Sequence, residues 1–104
     1  MSEYPNLKGR VVMLSGPITG VDHYREIFDH WRRVAEREGA KIVLTPTVLP
    51  SGWKYRWYMG HTLLMVEHAD AVFMLPGWMD SVGALMEHRR ARELGRERIY
   101  AEKI

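Results

Sequence analysis

Apolar residues fall along this chain in two alternating patterns. Val11 to Leu14 is a short, unbroken apolar run, as suits a strand buried on both faces of a parallel sheet. Ser15-Gly16-Pro17-Ile18-Thr19-Gly20 stops it. From about Tyr24 to Arg37, Ile27, Phe28, Trp31, Val34 and Ala35 recur at steps of three and four. That spacing predicts an amphipathic helix, with Asp22 as its N-cap and Gly39 as its stop. Ile42, Val43 and Leu44 form a second strand, and Pro46 and Pro50 mark a loop that ends near Ser51-Gly52. Trp57, Met59, Leu63, Leu64 and Val66 predict a second helix from about Lys54 to His68. Ala71 to Leu75 is apolar throughout and reads as a third strand ending at Pro76-Gly77. Asp80 or Ser81 opens a third helix that runs to about Leu94, and Gly95 closes it. Ile99-Tyr100-Ala101 is a last short strand.

Strands that alternate with helices require crossover connections, hence a parallel sheet with helices on both faces. Ligands of such sheets bind outside the carboxyl ends of the strands. Three loops reach that edge: Ser15 to Gly20, Thr45 to Trp53, and Pro76 to Ser81.

The chain has 104 residues, enough for one compact domain spanning 1–104. A core of this size is modest, so self-association into a homodimer or larger homo-oligomer is expected. The formal charge of +2 leaves no basic block for nucleic-acid phosphates. The nearest approach to one, His88, Arg89, Arg90 and Arg92, shares its helix with Glu87 and Glu93 and reads as a solvated face. There is no cysteine, which excludes disulfides and thiolate chemistry. The histidines lack ligand spacing, so neither a metal nor a cofactor is expected. The opening Met1-Ser2-Glu3-Tyr4-Pro5 is polar, and no apolar run approaches the roughly 18 residues of a membrane span. The cytoplasm is the expected location.

Two segments carry candidate chemistry. Glycines in Ser15 to Gly20, between a strand and a helix, let backbone N–H groups approach an anion; a plain tight turn is the other reading. In Pro76 to Glu87, Ser81 can cap the helix or hold an oxyanion, and Gly83 lets a ligand near the first turn. Glu87 falls close to the apolar positions Ala84 and Ala91. A carboxylate on an inward face needs a partner, although a surface ion pair with Arg90 or Arg92 would also account for it. Trp78, Trp53 and Trp57 can stack on a base or sugar, or pack in a subunit interface.

Leu14-Ser15-Gly16-Pro17-Ile18-Thr19-Gly20, Trp57-Tyr58-Met59 with Ala69-Asp70, and Leu75-Pro76-Gly77-Trp78 with Ser81, Gly83-Ala84 and Glu87 resemble the small nucleoside 2-deoxyribosyltransferase-like proteins of bacteria and phages. The resemblance covers almost the whole chain in the same order of elements. It implies that Glu87 is a nucleophile that attacks the anomeric carbon and forms a covalent glycosyl-enzyme. It also relates the chain to the deoxynucleoside 5′-monophosphate N-hydrolases, where a serine at the position of Ser81 contacts the phosphate. Two positions depart from the pattern. Met13 stands where the family commonly has a tyrosine that orients the nucleophile. Thr62 stands where it commonly has an aspartate that assists the leaving base.

The sequence thus predicts a three-layer α/β sandwich of the flavodoxin or Rossmann type, its roughly four parallel strands in the order 2-1-3-4. The expected function is cleavage or transfer at the N-glycosidic bond of a nucleoside or nucleoside 5′-monophosphate. Glu87 is the expected nucleophile. Ser15, Gly16, Pro17, Thr19, Gly20, Gly77, Trp78, Asp80, Ser81 and Gly83 are the expected ligand-binding residues. A nucleotide sensor without catalysis, or an interaction module, are the alternatives.

Overall fold

Val12, Met13 and Leu14, and all of Ala71 to Met74, are fully buried, as two interior strands must be when helices cover both faces of their sheet. The computed structural model describes residues 3–101; Met1 and Ser2 of the polar amino-terminal stretch lie outside the described residues. Strands β1 (Val11–Ser15), β2 (Ile42–Leu44), β3 (Ala71–Met74) and β4 (Glu97–Tyr100) alternate with helices α1 (Tyr24–Arg37), α2 (Tyr55–His68) and α3 (Val82–Glu93). All pairings are parallel, in the order β2-β1-β3-β4, matching the order read from the sequence. No helix among the described residues is long and apolar enough to cross a membrane.

The period of two along each strand sorts its side chains between two cores. Val12 and Leu14, with Phe73 and Leu75, meet Phe28, Trp31, Val34 and Ala35 of α1. Met13, with Val72 and Met74, meets Val66 of α2 and Ala84 and Ala91 of α3. Ser15 continues the Met13 side of the pleat and so lies under α3. Because β2 and β3 flank β1 on opposite sides, the order of the strands reverses at β1, the point at which sheets of this kind bind ligands.

Helix ends follow local chemistry. The Ser81 hydroxyl accepts from the Ala84 N–H at 3.2 Å and caps α3. At the end of α1, Gly39 adopts φ +95°, which lets its N–H reach Glu36 O at 3.0 Å and the Ala40 N–H reach Ala35 O at 3.0 Å. This is a Schellman closure, which needs a left-handed residue at that position.

Two expectations are corrected. Asp22 is not the N-cap of α1: His23 takes that place, in a left-handed conformation with φ 58° and no side-chain cap. The His23 carbonyl accepts the first helical bonds, which leaves Asp22 one position outside. The last strand begins at Glu97 rather than Ile99 and ends at Tyr100. It is an edge strand, and its charged start, where Glu97 pairs with Arg10, breaks the apolar pattern that marks an interior strand.

Candidate active site

On α3, Ala84, Glu87 and Ala91 are buried at steps of three and four, so the helix turns Glu87 inward between two small residues. Only 4% of Glu87 is exposed. Beneath it, the fully buried Ser15 at the end of β1 donates its hydroxyl to Glu87 Oε1 at 2.6 Å. The fully buried Thr62 of α2 is a second hydroxyl beside the carboxyl. Burial pushes the Glu87 carboxyl up to about 7; the Ser15 hydrogen bond, and to a lesser degree the nearby Thr62 hydroxyl, which in this geometry donates to the Met59 carbonyl at 3.3 Å, work against that rise. Such a group changes charge near neutral pH, a property that concentrates at functional sites.

Glu87 lies in the wall of a cleft of about 480 Å³ at the carboxyl end of the sheet. Gly16, Ile18 and Thr19 of the loop after β1 form one side, and Ser81, Gly83 and Ala84 at the start of α3 another. Pro46, Pro50, Ser51, Gly52 and Trp53, from the loop after β2, close the far side. Tyr24, Tyr55, Tyr58 and Met59 complete it. Four aromatic rings therefore share one cleft with a single carboxyl group. The far wall is braced from α1: Arg25 donates to the carbonyls of Thr47 and Leu49 and to the Ser51 hydroxyl, the last at 3.0 Å. Trp53 is supported from behind by His61 and Trp57, with ring centroids 5.0 and 6.2 Å away.

Among the residues singled out in the sequence, Gly16, Thr19, Ser81, Gly83 and Glu87 meet in this cleft. Pro17 and Asp80 line an adjoining recess, which shares Thr19, Ser81 and Gly83 with it. Ser15 stands behind Glu87 rather than in the lining. Gly20, Gly77 and Trp78 fall outside both spaces. Trp78 instead stacks on His88, with centroids 4.5 Å apart and planes 16° apart, while His88 Nε2 lies 2.8 Å from the Tyr100 hydroxyl. Gly77 faces Pro17: a Cβ there would lie 3.4 Å from Pro17 Cγ. Gly16 has a packing role as well, because a Cβ on it would come within 2.9 Å of Leu75 Cβ. At Gly83 a Cβ would meet Met59 Sδ at 3.3 Å, so this glycine also lets α2 approach α3.

Tyr24 and Tyr55 were not singled out in the sequence, and Tyr58 entered only as part of the Trp57-Tyr58-Met59 motif, with no role of its own. Each opens or continues a helix, and a helical tyrosine carries no sign of which pocket its ring enters. Trp53 had a signal, since it ends one of the three loops at the ligand-binding edge.

Residues 10–100 match a family model described as a domain of unknown function, DUF4406. The chain belongs to the DUF4406 family. The match runs from just before β1 to the end of β4, so the DUF4406 domain contains the whole sheet and every residue of the cleft. No curated protein matches the chain.

Proposed function

We propose that this DUF4406 chain cleaves, or transfers the sugar of, a nucleoside or nucleoside 5′-monophosphate at its N-glycosidic bond, with Glu87 as nucleophile. The observation that carries the reading is a buried carboxyl, oriented by Ser15 at 2.6 Å, in the wall of a cleft bordered by four aromatic rings. The rings suit the flat faces of a base. The cleft volume lies within the usual range for small-molecule sites, roughly 300–1,000 Å³. The reading places the chain in the cytoplasm, where nucleotides are made and broken down.

In the first step a Glu87 oxygen attacks the anomeric carbon. The carbon–nitrogen bond breaks, and the base leaves with its electron pair and takes a proton from water. Water or a second base then attacks the same carbon and gives up its proton to solvent, the ester bond breaks, and the carboxylate returns. Only the ionised form of Glu87 attacks. A carboxyl held at about 7 is ionised in about half the molecules at neutral pH, and its desolvated anion is a stronger base than an exposed one. Ser15 fixes the rotamer of the carboxyl. Ser81 and Thr19, at the shared boundary of cleft and recess, carry hydroxyls available to sugar or phosphate oxygens.

One observation favours a second reading, a nucleotide-binding protein without turnover. Burial favours the neutral carboxylic acid, which donates a hydrogen bond to a ligand instead of attacking it. Neither Met13, buried in the core, nor Thr62 supplies an acid for the leaving base. Incubation with a panel of deoxynucleosides and their 5′-monophosphates, followed by chromatography for free base, separates the two. Base release that depends on Glu87 supports the enzyme. Saturable binding with no base release supports the binding protein.

A further inference from the structure

The Tyr58 hydroxyl is buried and has no hydrogen-bond partner among the described residues. A buried hydroxyl without a partner loses its hydration and receives nothing in return, which costs free energy. The tyrosine nevertheless lines the same cleft as Glu87, one residue before Met59, whose side chain packs at the start of α3. We infer that Tyr58 is a positioning residue for Glu87, its unpartnered hydroxyl held in reserve to donate to the carboxylate once that group has lost its proton.

The inference rests on the reading of Glu87 as the nucleophile for its purpose, though not for its test. Three elements bring polar groups to this corner. Ser15 comes from β1 and Thr62 from α2, and both act on Glu87. Tyr24 and Arg25 come from α1, and both act on Tyr58 together with Glu87. Burial and the neighbouring Glu87 carboxylate push the Tyr58 hydroxyl far above its ordinary value, so it keeps its proton and remains a donor across the working pH range. Ser15 already occupies Oε1. An ionised carboxylate has several lone-pair sites and gains from a further donor, while the neutral acid needs fewer. The hydroxyl is closed off from water, so a neighbouring side chain is what can reach it. The same donor would hold the carboxylate in place during attack on the anomeric carbon.

The test is Tyr58→Phe, which keeps the ring in the cleft wall and removes only the hydroxyl. The pKa of Glu87 is read directly by carbon-13 NMR of its side-chain carboxyl in the ligand-free protein, in wild type and variant, with thermal melting as the check on folding. A hydrogen bond to a charged group is worth enough that its loss raises the Glu87 pKa by about one pH unit or more. If base release is observed, the acid limb of its pH–rate profile moves up by the same amount. A Glu87 pKa within about 0.3 of the wild-type value in a folded Tyr58→Phe protein overturns the inference. The NMR titration needs no turnover, so the inference can fail while base release stands, and base release can fail while the inference stands.

Discussion

Replacing Glu87 by glutamine keeps nearly the same shape in the α3 wall and removes one ionisation. In the folded chain, burial holds this carboxyl at about 7, against an ordinary value of 4.5 in an unfolded one. As pH rises, the unfolded chain therefore gives up its proton first. Below about pH 4.5 both states hold the proton, and the carboxyl subtracts nothing from stability. Between 4.5 and 7 stability falls, and above 7 the loss is complete. A gap of this size corresponds to about 3 kcal/mol, at about 1.4 kcal/mol for each pH unit between the two values. Glutamine has no proton to lose, and its amide can still bond the Ser15 hydroxyl, which turns to accept or donate. Urea denaturation of both proteins from pH 4 to pH 8 isolates the effect, because the other titrating groups are common to both. The stability difference, Glu87→Gln minus wild type, should be larger at pH 8 than at pH 4 by about 3 kcal/mol. A difference that stays constant across this range would refute the claim that the carboxyl is buried and hard to ionise.

Trp53→Ala should weaken nucleoside binding by about 1–3 kcal/mol in calorimetry, the usual worth of an aromatic platform under a base. Trp78→Ala should leave that affinity within a factor of about two, since Trp78 packs on His88 outside the cleft; the reverse ranking would put the base at Trp78. Gly16→Ala should lower stability by about 1–3 kcal/mol in chemical denaturation, because its methyl group would sit 2.9 Å from Leu75 Cβ. Light scattering should give at least a dimer mass at micromolar concentration, because the adjacent helices α2 and α3 leave Trp57, Leu64, Val82 and Leu85 between 43% and 68% exposed; a monomer mass would count against it.

The parallel sheet and its strand order were legible because β1 and β3 are unbroken apolar runs that only a two-sided cover explains. The spacing of Ala84, Glu87 and Ala91 allowed an inward carboxyl but did not choose it over a surface ion pair with Arg90 or Arg92; the resemblance made that choice, and in the fold Arg90 pairs with Glu67 and Glu93 instead. The charged start of β4 was not legible, because an edge strand needs no apolar run. The fate of Trp78 was hidden as well. The turn at Pro76-Gly77 aims the next ring, and its target, His88 and Tyr100, comes from two other elements. The far wall of the cleft depends on Arg25 bracing the loop at Thr47 to Ser51, a contact across more than 20 residues of chain that no local spacing announces. The position of Thr62 argued against chemistry when judged as an acid. In the fold it is a buried hydroxyl beside Glu87, a role that side-chain acidity does not report.

Covalent capture of the sugar on Glu87 is read with a nucleoside that carries fluorine at C2′ and a good leaving base. The fluorine disfavours the positive charge that develops at the anomeric carbon in both steps, so a glycosyl-enzyme that forms breaks down slowly enough to be weighed. The protein is incubated with this compound, weighed intact, digested, and sequenced by tandem mass spectrometry. If Glu87 is the nucleophile, one fluorinated sugar per chain is bound to the peptide that contains Glu87, one equivalent of base is released, and Glu87→Gln carries no adduct. Base release that continues unchanged in Glu87→Gln, or an adduct on any other residue, would contradict that role.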